Sequence, residues 1–165
     1  MTKAVSLFVV FGLLLLFWVL LNGSLAADVL LVGAIAALII GWLFRQQLAV
    51  VTEFRGTPRA FMATARYLAY LLKELVKSNL RLAGIVLSPA LPLNPGIVKT
   101  RTRLKSRMGR LLLANSITLT PGTLSVDLDG EWLYVHWVTV ESSDIDAVTA
   151  SIVAGFEQHL EVMYG

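Results

Sequence analysis

Two long apolar runs open the chain. After Lys3, the 18 residues Ala4 to Leu21 carry no charge, and Asn22, Gly23 and Ser24 then interrupt the run. A second run of 16 residues, Val29 to Phe44, follows Asp28 and stops at Arg45. As helices rising about 1.5 Å per residue they extend ~27 and ~24 Å, close to the ~30 Å hydrocarbon core of a bilayer. Snorkelling by Arg45 and the apolar residues Leu48 to Val51 lengthen the second segment. So short a connection makes the two helices antiparallel. The pattern predicts a transmembrane helical hairpin over residues 1–51, with spans at about 4–21 and 29–44. Lys3, an apolar run and the small residues around Ser24 to Ala26 also fit a cleaved signal peptide. Against that reading, the apolar core is long and a second one follows at once.

The next helical segment, Arg59 to Leu87, has a different pattern. On a 100° wheel Arg59, Arg66, Lys73, Lys77 and Arg81 form one stripe, with Phe61, Leu68, Leu72, Leu75, Leu82 and Val86 opposite. It is a basic amphipathic helix that either lies in the membrane interface or forms a third transmembrane span. Basic residues flank both ends: Arg45, Arg55 and Arg59 before, and Lys99, Arg101 and Arg103 after. The positive-inside rule puts both flanks in the cytoplasm, which favours two spans and an interfacial or tilted third helix, with three spans still open. Ser88-Pro89, Pro92 and Asn94-Pro95-Gly96 close this second part, residues 52–95, with helix-breaking sequence.

Residues 96–165 read as a small cytoplasmic α+β domain. From Ile97 to Leu104 the pattern alternates, with Val98, Thr100, Thr102 and Leu104 on one face and Lys99, Arg101 and Arg103 on the other, as in a half-buried strand. Ser106 to Thr118 has helical spacing, and Thr120-Pro121-Gly122 marks a turn. Thr123 to Leu128 and Glu131 to Thr139 form a hairpin around Asp129-Gly130. Its expected core face sets Leu124, Val126 and Leu128 against Leu133, Val135 and Trp137. A final helix, capped by Ser143, carries the stripe Ile145, Val148, Ile152, Phe156 and Leu160. The order β-α-β-β-α is that of a ferredoxin-like split unit lacking its last strand.

Composition sharpens this picture. The 165 residues are 56% apolar and 15% charged, an excess of apolar over charged residues that points to a membrane protein. All 14 Lys and Arg lie at or before Arg110 with only Asp28, Glu53 and Glu74, a formal +11, whereas residues 111–165 carry eight acids and a formal −8. The absence of cysteine excludes disulfides, thiolate nucleophiles and thiolate metal sites. The basic residues are interleaved with membrane-grade sequence rather than mounted on a reading module, which argues against nucleic acid as a partner.

Few residues carry candidate chemistry. Asp28, the only acid between Lys3 and Arg45, is placed to cap the second helix rather than to bind an ion at membrane depth. Glu74, between Lys73 and Lys77, reads as a surface ion pair or a buried subunit contact. Trp132, Tyr134 and His136 share the strand face opposite the core, a patch that marks an interaction surface. His159 sits near the end of the last helix, where its C-terminus favours positive charge. With no Ser-His-Asp order, catalytic carboxylate pair or metal-ligand spacing, the chain does not read as an enzyme and implies no cofactor.

The run Leu111-Leu112-Leu113-Ala114-Asn115-Ser116-Ile117-Thr118-Leu119-Thr120-Pro121-Gly122-Thr123, followed by Tyr134-Val135-His136-Trp137, closely resembles the E-type small component of Mrp-type multisubunit cation/proton antiporters. The likeness extends to the Asn22-Gly23-Ser24 turn, Lys73-Glu74-Leu75 with Asn79, and Pro95-Gly96-Ile97-Val98. It implies a multi-pass subunit of a bacterial cytoplasmic membrane, working in exchange of sodium or another monovalent cation for protons. In that family the ion paths are attributed mainly to large subunits that resemble parts of respiratory complex I. The E-type component is accessory, so the partners implied are those large subunits and the lipid bilayer. Asn115, Thr118, Thr120, Pro121, Gly122 and Thr123 then read as a fixed structural turn, and Arg59, Arg66, Lys73, Glu74, Lys77, Arg81, Trp132, Tyr134 and His136 as interface or lipid contacts. The alternative is a membrane-anchored adaptor for an unrelated complex.

Overall fold

The computed structural model describes residues 3–44 and 53–165, so Arg45 and Leu48 to Val51 lie outside the described residues. The chain divides into two compact units, Met1–Glu53 and Phe54–Gly165.

The first unit is a pair of helices, α1 (Lys3–Asn22) and α2 (Ala27–Leu43). Gly23 ends α1 at φ +61°, a left-handed value suited to glycine, and its N–H donates to Val19 C=O at 2.9 Å. Ser24 Oγ then accepts from Ala26 N–H. Ala26 holds the capping position before α2 with no side-chain cap, so Asp28 does not cap the helix. It sits inside the first turn, where a carboxylate still complements the dipole. Gly33, Ala37 and Gly41 are buried at four-residue spacing along α2, with Gly33 against Trp18 of α1. A methyl group on Gly33 would overlap the Trp18 indole, whose Nε1–H donates to Val29 C=O at 3.0 Å. Elsewhere the surface is apolar: Phe17, Leu31, Leu38 and Trp42 are all more than 60% exposed. Among the described residues no helix is long and apolar enough by itself to cross a membrane, and α2 has 17 residues.

The second unit begins with α3 (Pro58–Leu87), a 30-residue helix with Thr57 Oγ1 accepting from Ala60 N–H and Pro58 in the first turn. It is followed by β1 (Gly96–Arg101), α4 (Arg107–Leu119), β2 (Thr123–Asp129), β3 (Trp132–Trp137), α5 (Ile145–Ile152) and α6 (Ala154–Tyr164). The antiparallel sheet has the order β1-β3-β2, so β3 is inserted between two strands joined by a helical crossover. The core lies beneath this sheet, with Leu104, Leu113, Leu133, Val135, Val148 and Leu160 essentially inaccessible. Although β1 ends at Arg101, Val98, Thr100, Thr102 and Leu104 are all buried, so the alternation of burial outlasts the strand.

Three details differ from the sequence pattern. Asp129 pairs with Trp132, so the turn residues are Gly130 and Glu131, with Gly130 at φ +57°. A bulge at Val126 then reverses the facing of β2: Leu128 still opposes Leu133, but Ser125 opposes Val135 and Leu124 opposes His136. Leu124 and Val126 are consequently exposed, at 49% and 54%. The reversal places Ser125 Oγ to donate to Ala114 C=O inside α4 and Thr123 Oγ1 to donate to Ile117 C=O in its last turn. The final helix is also two helices, parted at Val153. Its cap is Asp144, which accepts from Ala147 N–H, rather than Ser143, and Ile145 lies outside the buried stripe.

Candidate docking surfaces

Three faces of α3 have different surroundings. Ala60, Ala63 and Tyr67 are buried against the α+β domain, and Tyr67 hydroxyl is hydrogen bonded to Ser116 Oγ at 2.6 Å. Further along the helix Tyr70 meets Phe156 edge to face at 5.1 Å between ring centroids. Its ring also presses on Gly155, where any Cβ would overlap the hydroxyl. Burial, reinforced by the Glu74 carboxylate, pushes the Tyr70 hydroxyl pKa up.

Arg59, Arg66, Lys73, Lys77 and Arg81 form the second, exposed face. Two of them are paired: Lys77 with Glu74 at 3.5 Å, and Arg81 with Glu141. Glu74 is only 18% exposed, so the acid between the two lysines turns inward toward the domain. The third face consists of exposed apolar side chains, among them Phe61, Leu68, Leu72, Val76 and Leu80. The apolar side of the helix is thus shared between packing and exposure: Leu75 and Leu82 are half-buried, whereas Phe61, Leu68, Leu72 and Val86 are exposed.

A groove runs along α3 and joins features that lie far apart in the chain. Lys77, Ser78 and Arg81 line one wall and Thr120, Pro121, Gly122 and Thr123 another. The hydroxyls of the turn are engaged with backbone: Thr120 Oγ1 donates to Ser116 C=O, Thr123 Oγ1 to Ile117 C=O, and Thr118 Oγ1 accepts from Ser125 N–H. Gly122, at φ +94°, accepts from Val138 N–H through its carbonyl, tying the turn to the end of β3. Asn115 is exposed on α4 and lines no part of this groove.

On the far side of the sheet Trp132, Tyr134 and His136 stand in a row, with Trp132 and Tyr134 half-buried. Lys99 Nζ stands 3.9 Å from the Trp132 ring centroid and 5.8 Å from that of Tyr134. His136 lies opposite Ile97 on one side and Leu124 on the other. This aromatic, partly basic face is separate from the α3 faces in composition and position.

His159 lies in the middle of α6 rather than at its end. Its ring is 5.7 Å from that of Tyr70, and burial followed by the nearby Arg66 charge lowers its pKa, opposite to the effect of a helix C-terminus. Glu157, absent from the sequence candidates, is 3% exposed. Its carboxylate accepts from Thr102 Oγ1–H at 2.5 Å and Arg103 N–H at 2.7 Å, with Arg103 Nε 3.4 Å away. Its place between Phe156 and Leu160, inside the apolar stripe, is the signal that the sequence carries. Among the described residues no group of three His, Asp or Glu side chains could hold a metal ion.

The first unit is thus a helical pair with an apolar exterior, and the second a small α+β domain whose polar groups close turns and caps. A sequence profile described as "Na+/H+ ion antiporter subunit" matches residues 11–163. The chain is 34% identical over 129 residues to the E-type component of the Na(+)/H(+) antiporter of Alkalihalophilus pseudofirmus, covering 77% of this chain and 79% of that one. It is 30% identical over 139 residues to the E1-type component of the Na(+)/H(+) antiporter of Staphylococcus haemolyticus, covering 82% and 85%. Among solved structures, a chain of the archaeal membrane-bound sulfane sulfur reductase, a respiratory membrane complex, matches with a TM-score of 0.73 and 34% identity, over 95% of this chain and 98% of that one. This chain belongs to the E-type family of Na+/H+ antiporter subunits, a family of transport proteins rather than of enzymes.

Proposed function

We propose that the chain is the accessory subunit of a multisubunit monovalent cation/proton antiporter and that it supports assembly and stability of the subunits that carry ions. Its hairpin anchors in a cytoplasmic membrane and returns the chain to the cytoplasm, where the α+β domain docks on neighbouring large membrane subunits. The observation that carries this reading is the chemistry of the hairpin. Between Ala4 and Phe44 the only ionisable side chain is Asp28, which sits in the first turn of α2 next to the interhelical turn. A sodium or proton relay needs ionisable groups at membrane depth, and this hairpin offers none there. The 18 uncharged residues from Ala4 and the apolar tract continuing past Arg45 support insertion, with snorkelling and local thinning accommodating short spans.

The test is purification of the tagged full chain in mild detergent. The large antiporter subunits should co-purify in stable proportion, and recovery of the chain alone overturns the reading. A reporter at the C-terminus should respond from the cytoplasm, and an external signal overturns that topology.

A second reading is favoured by the match to the respiratory complex chain. In it, the same chain supports an antiporter-like module within a larger redox complex. Co-purification of proteins bearing redox centres with the chain distinguishes it from the first.

A further inference from the structure

We infer that α3 lies in the plane of an anionic bilayer surface, its apolar row in the acyl boundary and its basic row among the headgroup phosphates. This deepens the membrane-anchored reading and rests on it. Leu68, Leu72, Val76 and Leu80 recur every four residues, and Phe61 and Leu87 extend the row; each is 50–82% exposed. From Phe61 to Leu87 the row is about 39 Å long at 1.5 Å per residue.

On a 100° wheel the apolar row is centred about 115° from Arg59, Arg66, Lys73, Lys77 and Arg81, and about 165° from the packed residues Ala60, Ala63 and Tyr67. With the apolar row facing down into lipid, the cations lie at the rim, level with phosphates, and the domain stands in water. Lys77 is paired with Glu74, which is turned into the packed face, and Arg81 with Glu141, so the net positive charge of the rim comes from Arg59, Arg66 and Lys73. Lys and Arg at such a rim draw an amphipathic helix to anionic lipid.

A spanning orientation is incompatible with the same packing. The folded domain packs on α3 from Ala60 through Tyr70, and the groove beside it continues to Ile85. Crossing the bilayer would carry that domain, with buried Glu157 and the exposed cations of α3, into hydrocarbon. A neighbouring protein helix would satisfy the apolar row but leaves the basic rim unexplained.

The chain has no cysteine, so single cysteines label it uniquely. Full-length Leu68→Cys, Leu72→Cys, Val76→Cys, Leu80→Cys and Lys73→Cys variants carry nitroxides in liposomes of phosphatidylglycerol and phosphatidylcholine. Depth is read from relative relaxation by oxygen and by a water-soluble nickel chelate. The Leu72 and Val76 labels should lie deepest, about 5–10 Å below the phosphates, with those at Leu68 and Leu80 a few ångströms shallower and Lys73→Cys at phosphate level. Removing phosphatidylglycerol should move all of them outward. A depth that changes steadily along the row by about 1.5 Å per residue indicates a span and overturns the inference, as does water exposure of every α3 label, the result for a protein-facing row. Depths unchanged without anionic lipid overturn its electrostatic part. Labels at Leu13→Cys and Ile35→Cys report the hairpin separately. If they too are water-exposed, the anchoring reading itself fails.

Discussion

Replacing Glu157 by alanine removes the acceptor for two donors that have nowhere else to turn. Thr102 is 1% exposed and its hydroxyl donates to Glu157 Oε1, and Arg103 N–H donates to the same oxygen. Each buried donor left unpaired costs about 1–3 kcal/mol, so Glu157→Ala should lose about 2–5 kcal/mol of a domain stability typically near 5–15. The ion pair with Arg103 adds little, because that side chain is 73% exposed and such pairs contribute ~0–1 kcal/mol. Glu157→Gln keeps a carbonyl oxygen for both donors and should therefore cost no more than about 1 kcal/mol. Hydrogen exchange of the full chain in detergent, followed over residues 102–113 and over α6, measures both. Protection in the alanine variant within about 0.5 kcal/mol of the parent would refute the reasoning, as would a glutamine variant as damaged as the alanine one.

Other expectations follow from the same packing. Gly155→Ala forces the Tyr70 ring away from α6 and should destabilise by about 1–3 kcal/mol, outweighing the ~1 kcal/mol helix-propensity gain of alanine; thermal unfolding of the full chain decides the sign. His159 has its folded pKa depressed below 6.5, so the unfolded chain binds the proton first. Stability should accordingly be retained above pH 6.5 and decline as pH falls below it, and His159→Gln should flatten that decline in denaturant titrations. Because the β2 bulge exposes Leu124 and engages Ser125, Leu124→Ser should change stability by under about 0.5 kcal/mol, whereas Ser125→Ala should cost about 1 kcal/mol. Equal effects of the two would contradict the observed register.

Period and turn chemistry make much of the domain legible: Val98 to Leu104 alternates and is buried as it alternates, and Ser106 caps α4 by accepting from Gly109 N–H. What the pattern misses is decided by polar satisfaction. The apolar alternation of Leu124, Val126 and Leu128 calls for an unbroken strand, but the carbonyls of α4 draw Ser125 and Thr123 inward and the bulge takes up the difference. Glu157 is hard to single out in the sequence because a carboxylate inside an apolar stripe makes sense only once Thr102 and Arg103 stand beside it. In α3 the wheel separates charge from apolar residues correctly. It does not reveal that small residues and tyrosines, Ala60, Ala63, Tyr67 and Tyr70, take the packed face and leave leucines outside. The nearness of Thr120 to Thr123 and Lys77 with Arg81 is likewise a product of tertiary packing, with no trace in local spacing.

The accessory role is tested most directly by sodium-driven proton movement in everted membrane vesicles from cells lacking this chain, with the amount of assembled complex measured in the same vesicles. Antiport should fall in proportion to the loss of assembled complex and return when the full chain is supplied. Undiminished antiport with the complex intact would contradict the account.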